Sequence, residues 1–162
     1  MKEPAKASSG EPVGLLLAEA LYGVFHAFQQ SVNGLLDELN LTESLADALW
    51  QLDPASGALS RRMLAERLHC DPSNVTFLVD RLEERGLATR VDNPQDRRVK
   101  KVSLTVAGVD TRNRLVFAAA DSPVFAGLSP DERHHLVDLL GRCLHGAADL
   151  VPAGRAATAA ST

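Results

Sequence analysis

SRRMLAERLHCDPSNVTFLVDRLEERGLATRVDNPQDRRVKKVSLT, residues 60–105, decides how the rest of this 162-residue chain is read. Ser60 suits a helix N-cap, and Leu64, Ala65 and Leu68 give a short helix over 61–68 one apolar face. Asp71-Pro72 opens a second helix. Asp71 serves as an N-cap accepting from backbone N–H groups, and Pro72 fills the first helical position, where its missing N–H costs nothing. Val75, Leu78, Val79 and Leu82 recur at i, i+3, i+4 and i+7, one clean apolar face. Ser73, Asn74, Thr76, Phe77, Asp80, Arg81 and Glu84 fall elsewhere. Gly86 ends the helix after Arg85, a cation suited to a helix C-terminus. Residues 87–91 and 99–105 read as strands around a charged tip, 92–98.

Working outward, residues 13–40 carry a helical pattern: Leu17, Leu21, Val24 and Phe28, then Val32, Leu35, Leu36 and Leu39. Such a helix spans roughly 35–40 Å, long for a small domain. Leu15, Leu16, Leu17 and Leu21 make its first turns apolar nearly all round, as in a helix lying against a second subunit. Thr42 caps the next helix, 43–52, with Glu43 in its first turn and Leu45, Ala48, Leu49 and Leu52 as its stripe. Residues 53–57 form a turn cluster. Beyond the ribbon, helix returns over 106–120 with Ala107, Leu115 and Ala118 among its apolar positions, until Ser122-Pro123 breaks it. Ser129-Pro130-Asp131-Glu132 is a capping box opening a last helix rich in Leu136, Val137, Leu139, Leu140, Cys143 and Leu144. Residues 1–12 and 150–162 read as flexible tails around one domain, 13–148.

The chain is 45% apolar and 23% charged, enough for a real core. No run approaches the roughly 18–20 apolar residues of a membrane span, and the N-terminus lacks a secretory core, so a cytoplasmic protein with no membrane partner is expected. Cys70 and Cys143 have no CxxC spacing and fit small buried residues or free thiols. The net charge of −4 hides an uneven distribution. Residues 1–59 carry 2 basic and 8 acidic groups, whereas residues 60–101 carry 10 basic and 7 acidic. Positive charge sits where a phosphate footprint would need it, although an excess this modest also fits an ordinary solvated surface. There is no nucleophile–base pair, phosphate-cradling glycine loop or metal constellation, so neither an enzyme nor a cofactor is expected. His134 and His135 are adjacent and point to different helix faces, which argues against a metal site.

Four helices, a ribbon and two more helices follow in the order of a winged helix-turn-helix. The sequence resembles the MarR family of transcriptional regulators. Asp71-Pro72-Ser73-Asn74-Val75-Thr76, Val79-Asp80-Arg81-Leu82-Glu83, Arg85-Gly86-Leu87 and Arg90 carry the match. It continues through Asp92 to Arg98, Val102-Ser103-Leu104-Thr105 and Gly108. The resemblance implies a mainly α fold with a small β-wing. Residues 42–105 would form the DNA-binding lobe, and residues 13–40 and 106–148 the dimerisation helices. It also implies a homodimer that reads pseudo-palindromic double-stranded DNA, with half-sites roughly 34 Å apart. A repressor released by a small anionic or phenolic effector is the function it implies.

Ser73, Asn74 and Thr76 are short polar groups at the end of the helix that enters a major groove deepest; Asn pairs with adenine edges, and Pro72 can meet a thymine methyl. Ser73 also suits a second capping role. Arg81 suits a phosphate or base contact, or an i,i+3 pair with Glu84. Phe77 is expected to pack against the wing or the preceding helix. Ser60, Arg61 and Arg62 suit a phosphate at a helix start. Arg97, then Arg98, are the residues to enter a minor groove, while Asp96 pairs with Arg98 or Arg90 and stiffens the wing. Lys100 and Lys101 alternate along a strand, so only one faces DNA. By the resemblance, an effector would lie against Phe25, His26, Gln29, Trp50 and the start of the helix after the wing. With 4% aromatic residues, stacking surfaces for a phenol are scarce. The alternatives are a winged-helix module that binds protein, and a redox regulator acting through Cys70. The peroxide-sensing branch of the family uses a cysteine near the start of the first helix, and this chain has none there.

Overall fold

The computed structural model describes residues 12–93 and 96–146. The side chains of Arg97 and Arg98, the tip residues 94–95 and nearly all of both expected tails lie outside the described residues. Six helices are described: α1 Val13–Glu38, α2 Glu43–Gln51, α3 Arg61–Leu68, α4 Pro72–Glu84, α5 Val106–Ala120 and α6 Pro130–Gly146. Strands β1 Leu59–Ser60, β2 Ala88–Asn93 and β3 Asp96–Leu104 form an antiparallel sheet in the order β1-β3-β2.

The caps start the helices where the sequence places them. The Thr42 hydroxyl accepts from Leu45 N–H at 3.3 Å, and the Ser60 hydroxyl from Met63 N–H at 3.2 Å. Asp71 departs from expectation. Its backbone stands at the N-cap of α4, but its side chain caps nothing. The Asn74 amide that a carboxylate would take donates instead to the Asp71 carbonyl at 3.0 Å, and Pro72 fixes the first turn. At the other end Gly86 has φ +66, its N–H donates to Glu83 O, and Leu87 N–H donates to Leu82 O, both at 2.8 Å. That double closure is a Schellman motif, which turns the chain sharply from α4 into β2.

The stripes of α2, α3 and α4 meet in one core. Leu49, Leu64, Val75, Val79 and Leu82 keep no surface in water. Each contributes on the order of 1.5–3 kcal/mol relative to exposure. Strand β1 was not foreseen, because two residues carry no periodicity. It pairs Leu59 with Val102, both nearly fully buried, and so closes the ribbon onto the core. The ribbon is longer than its composition predicts. Asp92 and Asn93 belong to β2, and Asp96 to Arg98 to β3. Polar residues that are individually poor strand formers are held there by cross-strand pairing.

Thr105 joins the ribbon to α5. Its hydroxyl donates to Gly86 O at 2.6 Å and accepts from Gly108 N–H at 3.0 Å, while its own N–H donates to Leu87 O at 3.1 Å. Gly108 is consequently pressed on the Leu87 carbonyl and buried, whereas Ala107, expected on the apolar side, is exposed. The end helices contrast with this core. α1 buries one residue, Leu36, and α6 buries none.

Candidate nucleic-acid interface and effector cavity

α4 turns Val75, Leu78, Val79 and Leu82 inward. The helical period therefore turns Ser73, Asn74, Phe77, Asp80, Arg81 and Glu84 outward, and all six are exposed. Thr76 does not join them. It is half-buried, its hydroxyl donates to Pro72 O at 3.1 Å, and it accepts from Arg61 at 3.3 Å across the α3–α4 junction. Arg81 takes the pairing that competes with base contact: it meets Glu84 at 2.9 Å, and its guanidinium lies 5.3 Å over the Phe77 ring. Phe77 thus lies under an arginine with 55% of its surface in water. Ser60 is occupied as a cap, and Arg62 pairs with Glu66 at 3.0 Å.

Of the two arginines expected to pair with Asp96, Arg98 has its side chain outside the described residues, and Arg90 is engaged elsewhere. Arg90 turns to α4, meeting Asp80 at 2.5 Å and the Glu83 carboxylate. The same carboxylate accepts from the Arg90 backbone N–H at 2.8 Å. Asp80 and Glu83 sit one helical turn apart, so both reach one guanidinium. The register opposes Lys100 to Asp92, with which it forms an ion pair, and Lys101 to Val91 and Ser60. Arg97 and Arg98 are placed on β3 by backbone alone.

A second site lies between α1, α2 and α5, a half-open cavity of about 400 Å³. Phe25, Phe28, Gln29 and Val32 face it from α1, one helical stripe. Glu43, Ala46, Asp47 and Trp50 face it from α2, at i, i+3, i+4 and i+7. Leu115 and Ala119 form its α5 wall. Phe25, Gln29 and Trp50 are therefore brought together as expected. His26 is not; it sits on the outer side of α1, its ring stacked on Tyr22 with centroids 6.4 Å apart. The α5 wall comes from the later half of that helix, not its start. Phe28, Glu43 and Asp47 were missed, although the spacing of Glu43, Asp47 and Trp50 puts them on one face. Arg112 locks the end of α2, donating to Trp50 O at 3.3 Å and pairing with Asp53 at 3.5 Å. Both cysteines are free, Cys70 half-buried against the core and Cys143 an exposed thiol, each within the two readings given for them. Among the described residues no group of three or more His, Cys, Asp or Glu side chains could hold a metal ion, and no helix is long and apolar enough to cross a membrane.

An outward polar helix face, a tight turn and a basic ribbon closed onto the same core define a winged helix-turn-helix DNA-binding fold. The MarR family model matches residues 41–100. A putative transcriptional regulatory protein for the hcr operon of Thauera aromatica is 32% identical over 148 residues, covering 82% of this chain and 89% of that protein. This chain belongs to the MarR family of transcriptional regulators. Other curated regulators match over less of their length, the chain spanning 62% of YkoM of Bacillus subtilis at 32% identity over 57% of its own. Among solved structures, BpsR of Bordetella bronchiseptica, whose DNA binding is regulated by 6-hydroxynicotinic acid, is 29% identical. The TM-score is 0.60, over 86% of this chain and 97% of that one. A mutant MarR from E. coli complexed with operator DNA shares the fold, with TM-score 0.64 and 24% identity over 79% of this chain and 93% of that one. The relatives and the fold are those of regulators, not enzymes.

Proposed function

We propose that the chain is a cytoplasmic homodimeric repressor that binds a pseudo-palindromic operator and is released by a small molecule in the α1–α2 cavity. Residues 42–105 act as the DNA-binding lobe, and residues 13–40 and 106–148 as the dimerisation helices of one domain, 13–148. The observation that carries this reading is the division of the surface. The outward face of α4 is short and polar at its entering end, while α1 and α6 leave Leu15, Leu16, Leu17, Leu21, Val137 and Leu140 uncovered. A lone chain gains nothing from that much apolar surface, whereas a two-fold pair covers it and sets two α4 helices at a fixed spacing. Ser73 and Asn74 at the helix start read bases, Ser60, Arg61 and Arg62 reach phosphate, and Arg97 and Arg98 carry the wing contact. The regulation of BpsR by a small aromatic acid supports an effector role for the cavity.

A mobility-shift titration on the protein's own promoter fragment tests the reading. Arg97→Ala should weaken binding to every sequence and lower the salt slope by about 1, and Asn74→Ala should cost about 1–3 kcal/mol at one base pair only. Absence of a shift at low salt would favour the protein-binding alternative.

A further inference from the structure

The outward face of α4 carries one large apolar side chain among polar ones. Phe77 keeps 55% of its surface in water, and the exposed residues around it on that helix are Ser73, Asn74, Asp80, Arg81 and Glu84, with Pro72 at the start. We propose that Phe77 is a specificity-determining residue whose ring meets the C5-methyl group of a thymine in the major groove. This step rests on the reading of that face as the one that enters DNA.

Position is the first ground. Phe77 follows Asn74 by three residues and Ser73 by four, so the three share one helical face. At a rise of about 1.5 Å per residue it stands about 4.5–6 Å further along α4, one to two base-pair steps of about 3.4 Å. A ring there meets base edges beside those that the two polar groups read. Chemistry is the second ground. Phosphate and sugar offer an apolar ring no partner, and the donors and acceptors of the base edges suit amides and guanidinium groups. The thymine methyl is the apolar mark in that pattern, and Phe is among the side chains that meet it. The third ground is how the ring is held. The Arg81 guanidinium lies 5.3 Å over it and is itself fixed by Glu84 at 2.9 Å. The cation steadies one face of the ring, which lowers the entropy cost of a contact made by the rest. A single exposed apolar residue is ordinary on a protein surface. This one is held in place on the face that also presents Ser73 and Asn74.

The test removes the methyl and leaves the rest of the base. The promoter fragment is made once with thymine and once with deoxyuridine throughout, and mobility shifts compare the two for the full chain and for its Phe77→Ala and Phe77→Gln variants. Phe77 is exposed and helical, and Ala and Gln are better helix formers than Phe, so both variants should fold; thermal melts check this, and either one alone carries the comparison. The unsubstituted chain should bind the thymine fragment about tenfold tighter, one buried methyl in each half-site being worth about fourfold. Each variant should bind the two fragments within about twofold of each other. Deoxyuridine at single thymines should then find one sensitive position per half-site, within about two base pairs of the pair at which Asn74→Ala relaxes choice. Equal affinity of the unsubstituted chain for the two fragments overturns the proposal and leaves DNA binding through α4 standing. A thymine preference undiminished in the variants overturns it too, because another residue, such as Pro72, would then read the methyl. If neither fragment shifts at low salt, the proposal and the reading of α4 fall together.

Discussion

Leu49 of α2 has no surface in water, and Leu17 of α1 keeps 54% of its own, although both stand on apolar helical stripes. The difference separates two regions of the molecule. The lobe built from α2, α3, α4 and the ribbon satisfies itself: its stripes face one another, side chains cap α2 and α3, and its ion pairs tie neighbouring elements. The end helices are unfinished, with α6 burying nothing and α1 burying Leu36 alone. One region is a core, and the other has the character of half an interface, because an apolar helix face left in water has no stabilising term of its own.

Glycines give the sharpest way to break that contrast. A Cβ on Gly108 would stand 1.8 Å from Leu87 O and 2.8 Å from its carbonyl carbon, both backbone atoms that cannot swing aside. Gly108→Ala should therefore push α5 off the ribbon and cost about 3 kcal/mol or more, roughly 6–12 °C in melting temperature. Gly23 lies mid-way along α1 with nothing within 4 Å of an added Cβ. Gly23→Ala should be neutral or stabilise by about 0.5–1 kcal/mol through helix propensity. Thermal melts followed by circular dichroism compare the two. A Gly23→Ala variant as damaged as Gly108→Ala would mean that α1 is already packed at that point.

The next largest effect concerns assembly. Leu17→Gln/Leu140→Gln removes two of the uncovered side chains, 54% and 39% exposed, without touching the core. Sedimentation equilibrium should show a weaker self-association, by about a hundredfold or more if each side chain is worth about 1.5–3 kcal/mol on burial. The α2–α4 lobe should keep its fold. An unchanged mass at every concentration would sink the half-interface reading.

The self-contained region was also the legible one. The helix 61–68 and the stripe Val75, Leu78, Val79, Leu82 were readable because a single buried face imposes a period and the caps punctuate it. Strand β1 was not, since its existence depends on where Val102 lies after folding. The Arg90 partnership was missed for the same reason: Asp80 and Glu83 come within reach only after Gly86 reverses the chain. At the interface, the exposure of Ser73 and Asn74 followed from the period, but Thr76 turned aside to Arg61. In the cavity, aromatic residues drew attention and carboxylates did not, although Glu43, Asp47 and Trp50 share one spacing.

Arg90 tests whether the ribbon belongs to the self-contained region. Its side chain is 31% exposed, and its guanidinium spans Asp80 and Glu83. Arg90→Ala should cost about 1–2 kcal/mol, partly by leaving two carboxylates together on α4, and should loosen the wing. Hydrogen exchange read at the β2 amides would show it. Protection unaltered across β2 would mean that the β1–β3 pairing alone holds the ribbon.

The smallest effect lies at the start of α6, where the two regions are hardest to tell apart. α6 buries nothing, yet its first turn is closed locally. Ser129 N–H and its hydroxyl both donate to the Glu132 carboxylate at 2.8 Å, and the hydroxyl accepts from Glu132 N–H at 3.4 Å. These bonds favour the charged carboxylate and hold its pKa below the ordinary value of 4.5, the Ser129 backbone N–H being the larger cause. The sign follows. A depressed carboxylate stabilises the folded form fully above the unfolded value, and that contribution fades as pH falls through the lower folded one. The start of α6 should therefore fray below about pH 4.5. Glu132→Gln should abolish that pH dependence while keeping part of the cap, since an amide oxygen still accepts. An NMR titration of the Ser129 amide reads both effects. A midpoint at the ordinary glutamate value would mean that the box is open in solution and that α6, like the first turns of α1, depends on a partner for its order.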